Sequence, residues 1–188
     1  MPVRIALAIV MLGTAVVTAA VSADEVAQVS MVRRTFLNGR VSMLVPQDFR
    51  VLSPAEIRRS YLGNDRPDVV IADPGRAISI VFKHTALPIK AGGLQEFLGR
   101  LRKGLPKRQP KARIIRLAMA KWGGRSFMLA FLERPAPSRR GGRRIDSYTV
   151  GTALSGDLLL IAFNSDVAKR PLWSAVRDRM IRSIRARD

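Results

Sequence analysis

Few side chains in this sequence have the types and spacing needed for catalysis or metal binding. The 188 residues include one histidine, His84, and no cysteine, which excludes disulfides, thiol catalysis, thiolate metal sites and a lipidated N-terminal cysteine. His84 ends an apolar stripe of alternating residues, where it could act as a lone acid/base or ligand. Because no partner for a catalytic triad is visible, a structural histidine is the favoured interpretation.

Three carboxylates lie close together in the chain, at Asp65, Asp68 and Asp73. Paired carboxylates can perform general acid/base chemistry. These three stand in turn-rich stretches beside Arg66 and Arg76, where acids more often serve turn geometry. The sequence also lacks a glycine-rich phosphate loop, a G-x-S-x-G motif and a metal-binding motif. It therefore predicts a protein that is not an enzyme and has no cofactor or metal.

The chain is strongly basic, with 33 Lys and Arg against 14 Asp and Glu and a formal net charge of +19. This charge favours contact with polyanions such as anionic lipid head groups or acidic envelope polymers, or it reflects composition and gives only a solvated surface. The residues predicted to bind a polyanion or partner form two clusters: Arg100, Arg102, Lys103, Lys107, Arg108, Lys111 and Arg113, and then Arg139, Arg140, Arg143 and Arg144.

The first 23 residues have the three parts of an export signal. Arg4 gives a positive start, an apolar run follows, and small residues at Val21-Ser22-Ala23 precede Asp24. We therefore predict a cleaved signal peptide at 1–23, a flexible segment at 24–32 and a single domain at 33–188. The expected location is the periplasm, with an uncleaved membrane anchor as the alternative. Export and the absence of nucleic-acid-binding signatures argue against a nucleic-acid partner.

Paired apolar runs separated by turn residues predict several β-hairpins. Asn38-Gly39 predicts a two-residue turn in the first, and Gly123-Gly124 predicts another between two apolar runs in residues 112–133. The second run, 125–133, is apolar on both faces, which predicts a strand in the middle of a sheet. Further strands are predicted at 68–73, 77–85, 145–153 and 157–164. The last of these is also apolar on both faces and is expected to lie next to 125–133.

Three helices are predicted from capping signals and apolar periodicity. Ser53, Pro54 and Glu56 mark the start of a short helix at 54–62. Apolar residues at 3.6-residue spacing predict a second helix at 90–105 and a closing helix at 166–187. The closing helix has an apolar stripe containing Trp173, and its arginines, Arg177 among them, are expected to be solvated. The alternative for this helix is a membrane-surface helix on anionic lipid.

The order of these elements, over about residues 35–185, resembles the PsbP-like fold, which includes bacterial envelope proteins of the DcrB kind. The residues that carry the resemblance are Pro46-Gln47-Asp48-Phe49, the strand ending at His84-Thr85, the Gly-Gly hairpin, and a C-terminal helix with Trp173 and Ser183-Ile184. The resemblance implies an α+β domain built as an α/β/α sandwich, with a largely antiparallel sheet covered by helices on both faces. It also implies no shared catalytic residues, and members that act mostly by binding other proteins.

Two hypotheses about function follow. The first is a non-enzymatic periplasmic accessory or scaffold protein that binds another cell-envelope protein. The second is electrostatic binding of anionic lipid or envelope polymers through the Arg-rich loops, which would be strongly salt-dependent. A concave apolar groove on the folded protein would favour the first hypothesis, and a flat arginine-rich face would favour the second.

Overall fold

A computed structural model describes residues 29–62, 66–90, 92–135 and 143–188, and these form an α+β structure with two antiparallel sheets. The predicted signal peptide and the first residues of the segment at 24–32 lie outside the described residues. The strands are β1 (Met31–Phe36), β2 (Val41–Pro46), β3 (Arg50–Val51), β4 (Val69–Ala72), β5 (Ile78–Pro88), β6 (Arg113–Trp122), β7 (Arg125–Pro135), β8 (Arg144–Leu154), β9 (Asp157–Asp166) and β10 (Arg185–Ala186). The helices are α1 (Pro54–Ser60), α2 (Gly93–Arg108), a 3-10 helix (Val167–Lys169) and α3 (Arg170–Arg182).

The large sheet has seven strands in the order β3-β4-β5-β9-β8-β7-β6, and the small sheet has the order β1-β2-β10. The Gly-Gly turn is confirmed: Gly123 and Gly124 have φ of 57° and 75°, which glycine adopts at little cost. The predicted central position of this hairpin is wrong, because β6 forms one edge of the sheet and β9 is central. Strand β7 is covered on both faces, yet it is only the second strand from that edge.

The prediction that β9 pairs with β7 is also wrong. Strand β8 lies between them because β7–β8 and β8–β9 are successive hairpins, and β9 then pairs with β5 on its other side. A meander that starts at the edge therefore runs inward, and its last strand becomes the centre of the sheet. Apolar residues on both faces indicate cover for a strand but do not give its rank in the sheet.

The first hairpin forms as predicted, but its turn is longer than two residues. Phe36 pairs with Val41, so four residues make the turn. Leu37, Asn38 and Gly39 all have positive φ, at 54°, 56° and 83°. Leu37 packs against the main hydrophobic core, which offsets the cost of a left-handed conformation for a leucine. Strand β1 begins at Met31, two residues before the predicted start of the domain.

The three predicted helices are present with shifted boundaries. The N-cap of α1 is confirmed, since Ser53 and Glu56 form a reciprocal capping box. Helix α2 was predicted to end before Pro106 but continues through it to Arg108. The closing helix ends at Arg182 instead of 187, because the chain turns to pair β10 with β2. Within the described residues, no helix is long and apolar enough to cross a membrane.

The sequence pattern predicted a solvated Arg177, but this residue is buried in the structure. Only 8% of its surface is exposed, and its guanidinium lies 4.5 Å from the ring centre of Tyr148 and 5.6 Å from that of Phe131. Cation–π contacts and hydrogen bonds to Asp178 compensate for part of its lost hydration. The helical pattern alone did not reveal these aromatic partners on β7 and β8.

Alternate residues of the large sheet belong to different hydrophobic clusters. The largest cluster joins one set of strand residues to Val41, Met43 and Val45 of the small sheet and to Trp173 and other residues of α3. The other set forms two smaller clusters, one with Leu94 and Leu98 of α2 and one with Ile57 of α1. The two smaller clusters are separate, and part of the sheet surface near α1 remains open.

Candidate functional site

The open part of the sheet forms a cleft of about 430 Å³ beside the end of α1. Five adjacent strands, β4, β5, β9, β8 and β7, contribute to its floor and walls. Its lining residues are Leu52, Arg59, Ser60, Tyr61, Val70, Ala72, Arg76, Ser79, Val81, Arg134, Ile145, Ser147, Ala162 and Asn164. This volume lies within the range of about 300–1,000 Å³ found for ligand pockets.

Small side chains in adjacent strands give the cleft its depth. Along one row of the sheet, Ala72 pairs with Ser79, Ser79 with Asn164, and Asn164 with Ser147. Ala162 lies two residues before Asn164 in β9, and it is on the same face because strand residues alternate between faces. Alanine and serine fill little volume above the sheet, so the surface is concave where larger side chains would fill it.

The floor combines apolar surface with hydrogen-bonding groups. The Ser147 hydroxyl donates to Oδ1 of Asn164 at 2.8 Å. Within the described residues, the amide nitrogen of Asn164 has no protein partner, and neither does the hydroxyl of Ser79. Because each amide nitrogen carries two N–H donors, the floor offers directional bonds to a polar ligand as well as apolar contact with Val81 and Ala162.

Arginines surround the cleft, and no acidic residue is among those that line it. Arg59 uses Nε to donate to the backbone carbonyl of Ala55 at 3.4 Å. Its two terminal amino groups have no acidic partner among the described residues. Arg76 donates to Glu56 through one terminal amino group, and Arg134 lines the cleft from β7. The cleft is therefore cationic as well as partly apolar.

Glu56 of α1 binds Arg50 and Arg76, and these contacts hold the helix beside the cleft. Glu56 accepts two hydrogen bonds from Arg50, at 2.8 and 3.1 Å, one from the backbone N–H of Ser53 at 2.9 Å, and another from Arg76. The hydrogen bonds from Arg50 are the main reason that the pKa of Glu56 lies well below its usual range, and the hydrogen bonds from Ser53 lower it further. The carboxylate stays ionised, so the cap of α1 and the position of Arg76 persist at mildly acidic pH.

This geometry predicts a pH-dependent effect of Glu56→Gln. A carboxyl group whose pKa is lowered by folding stabilises the native state above its unfolded pKa of about 4.3, and this contribution is lost as the pH falls. Wild type should therefore melt at a higher temperature than the variant at pH 7, and the difference should narrow below about pH 4.

Thermal melts at pH 7, 4 and 3 test this prediction. Glu96→Gln is the control, because Glu96 is 73% exposed and, in the described part of the chain, pairs only with Arg100 one helical turn away. Its effect at pH 7 should be small. A melting difference for Glu56→Gln that stays constant across the pH range would contradict the role of the carboxylate.

None of the predicted basic residues that the structure describes lines the cleft. Arg100 pairs with Glu96, Arg113 and Arg144 with Glu133, and Arg143 with Asp166. Arg139 and Arg140 lie outside the described residues. The remaining predicted residues, which we call the α2 strip, are all exposed and have no acidic partner in the described part of the chain; they are Arg102, Lys103, Lys107, Arg108 and Lys111.

The residues considered for catalysis have structural contacts. Nε2 of His84 lies 3.1 Å from the backbone oxygen of Leu154. Asp68 accepts from the backbone N–H of His84 at 2.6 Å, and Asp73 accepts from that of Ile78 at 2.7 Å. Asp65 lies outside the described residues. In the described ranges, no three His, Asp or Glu side chains are grouped so that they could hold a metal ion.

Sequence reasoning missed the cleft, although β9 contains a signal of it. On one face of β9, Leu158 and Leu160 are followed by Ala162 and Asn164. This change from large apolar to small and polar residues marks the point where α2 no longer covers the sheet. The arginines at the edge could not be found in this way, because many arginines in the chain have the same local pattern.

Comparison with known proteins assigns the fold. No protein-family model matches the sequence, and no curated protein matches it. The solution structure of cyanobacterial PsbP (CyanoP) from Synechocystis sp. PCC 6803 matches with a TM-score of 0.60 and 12% identity, over 85% of this chain and 94% of that chain. The chain has the PsbP-like fold.

Two other solved structures are similar at a lower score. LpqN, involved in cell envelope biogenesis of Mycobacterium tuberculosis, has a TM-score of 0.48 and 16% identity, over 82% of this chain and 89% of its own. PA94 from Pseudomonas aeruginosa also has a TM-score of 0.48, with 11% identity, over 84% of this chain and 98% of its own. At these identities the likeness concerns the fold alone. Phe49 and Trp173, which are among the residues that carry the PsbP-like resemblance, stack in the structure with ring centres 5.8 Å apart.

Proposed function

We propose that this chain is an exported, non-enzymatic accessory protein that binds an extended segment of another cell-envelope protein in the cleft. The observation that carries the proposal is the concave, partly apolar surface across five strands, with polar donors in its floor. Such sites combine apolar contact with a few directional hydrogen bonds, which is the usual composition of a binding pocket. The export signal in residues 1–23 supports a periplasmic location.

The proposal includes the α/β/α arrangement predicted from the sequence. In it, α3 and the small sheet cover one face of the large sheet, and α1 and α2 cover parts of the other. The division of strand residues between the clusters of α3 and those of α1 and α2 supports this arrangement. The incomplete cover by these two helices leaves part of the sheet face open to a partner.

The alternative function is electrostatic binding of anionic lipid or envelope polymer through the α2 strip. Its support is the concentration of five exposed cations, none with an acidic partner in the described part of the chain. Exposed charges of this kind attract any polyanion, and salt screens that attraction over a Debye length of about 8–10 Å. The cleft is the more specific feature because it adds shape and directional bonds to charge.

Affinity capture from envelope extracts distinguishes the two proposals. Ala162→Trp places a bulky side chain in the cleft floor, and we expect it to abolish capture of the partner while the melting temperature stays close to that of wild type. Ala168→Trp is the matched control, since Ala168 is exposed in the 3-10 helix and does not line the cleft. We expect it to retain capture.

A third variant replaces the five residues of the α2 strip by glutamine. Under the cleft proposal it still captures the partner at physiological salt. If this variant loses capture and Ala162→Trp does not, the cleft proposal is wrong and the electrostatic alternative is favoured.

A further inference from the structure

We infer that the cleft recognises a carboxylate on a short peptide segment, and this inference rests on the proposed function of the cleft. The first argument is charge. Three arginines, Arg59, Arg76 and Arg134, line the cleft, and no Asp or Glu is among the lining residues. A guanidinium in a partly desolvated site favours an anionic partner, and its planar donors match a carboxylate.

The second argument is the hydrogen-bonding capacity that the protein leaves unused. A guanidinium has five N–H donors. Among the described residues, Arg59 makes one hydrogen bond, from Nε to the carbonyl of Ala55, and Arg76 contacts Glu56 through one terminal amino group. The Glu56 contact also fixes the direction of the Arg76 side chain, which reduces the entropy lost when a ligand binds. Both arginines can therefore donate to a ligand without breaking the contacts that position α1.

The third argument favours a peptide over an acyl chain. The floor contains Ser79, Ser147 and Asn164 among its apolar residues. An acyl chain lying on these groups would remove them from water and give no hydrogen bond in return, which is unfavourable. A peptide backbone supplies a donor and an acceptor at each residue and can pair with them. The occupant that fits both the floor and the arginines is a short peptide with small apolar residues and a carboxylate.

The carboxylate can belong to an Asp or Glu side chain or to a chain terminus. Three peptides distinguish these sources. The first is acetyl-Ala-Val-Glu-Val-Ala-amide, and the second has Gln in place of Glu. The third is the Gln peptide with a free C-terminal carboxyl group in place of the amide. Binding to the full chain is measured by isothermal titration calorimetry. We expect at least one carboxylate-bearing peptide to bind about tenfold more tightly than the neutral peptide, or better, as charge-assisted hydrogen bonds allow.

Arg59→Gln and Arg134→Gln should each reduce that preference, and the double variant should reduce it further, while Arg76 still donates to the carboxylate. Arg182→Gln is the matched control, since it removes the same charge from an exposed arginine of α3 that does not line the cleft. It should keep the preference for the carboxylate. Thermal melts of each variant show that the fold is retained.

Each other outcome has a defined meaning. If the charged and neutral peptides bind equally, or if Arg182→Gln has the same effect as Arg59→Gln, carboxylate recognition is wrong while protein binding in the cleft stands. If no peptide binds, the inference is overturned; phosphatidylglycerol vesicles that then bind in a way that Ala162→Trp abolishes would show that a lipid replaces the peptide. If no peptide binds and Ala162→Trp does not alter capture from extracts, the proposed function itself fails.

Discussion

Arg170→Met is expected to destabilise the folded protein by about 3–5 kcal/mol, which is the usual cost of leaving a buried charge without its partner. Arg170 donates two hydrogen bonds of 2.6 Å to Asp146, and Asp146 is only 3% exposed. No other cation contacts Asp146 among the described residues. Removing the guanidinium therefore leaves a carboxylate almost fully buried and unpaired.

The effect should be asymmetric. Asp146→Asn is expected to cost less than Arg170→Met, because the Arg170 side chain is 38% exposed and keeps its contact with Glu133. Glu133 itself retains Arg113 and Arg144 when Arg170 is replaced. The double variant Arg170→Met/Asp146→Leu removes both charges and should recover most of the lost stability.

Urea denaturation of Arg170→Met, Asp146→Asn and the double variant gives the free energy of unfolding of each. Glu96→Gln is the control for an exposed pair and should change this free energy by about 0.5 kcal/mol or less. A double variant as unstable as Arg170→Met alone would show that burial of an unpaired Asp146 is not the cause.

Trp173→Ala is expected to lower the free energy of unfolding by about 3–5 kcal/mol, as is usual for the loss of a buried aromatic side chain. Trp173 is 4% exposed and joins α3 to Phe49 in the turn between β2 and β3. Trp173→Phe should cost far less. The indole Nε1 is buried and has no hydrogen-bond partner among the described residues, so its removal relieves a desolvation penalty that offsets part of the lost apolar contact.

Thermal and urea denaturation of both Trp173 variants measure this difference. We expect Trp173→Phe to lose about 1.5 kcal/mol or less. Equal losses for Ala and Phe would mean that the indole N–H contributes a bond essential for stability, and would contradict the unpaired state seen in the structure.

Local signals predicted the hairpins and helices well. Gly123-Gly124 and the Ser53 cap depend on residues close together in the chain, and the structure confirms both. The position of each strand in the sheet depends on which distant strand it meets. Strand β9 is central because it pairs with β5, about 80 residues earlier in the chain, and no local pattern in β9 specifies this partner.

The cleft and the burial of Arg177 were harder to predict for a related reason. Arg177 and the exposed Arg179 both follow the helical pattern of α3, but only Arg177 meets the aromatic rings of Tyr148 and Phe131. Likewise, Arg59 and Arg134 line the same cleft only because the fold places α1 beside the part of the sheet that includes β7. The predicted basic residues that the structure describes lie outside the cleft, because clustering in sequence reflects composition more than position in the fold.

Site-specific photo-crosslinking tests the central proposal most directly. A photoreactive amino acid is placed at Ser79 or Ala162 in the cleft, and at Lys107 or Lys111 in the α2 strip, and each full-length variant is irradiated in cells that express it. We predict a discrete protein adduct from the two cleft positions and none from the two strip positions. Adducts from the strip positions alone would contradict binding in the cleft.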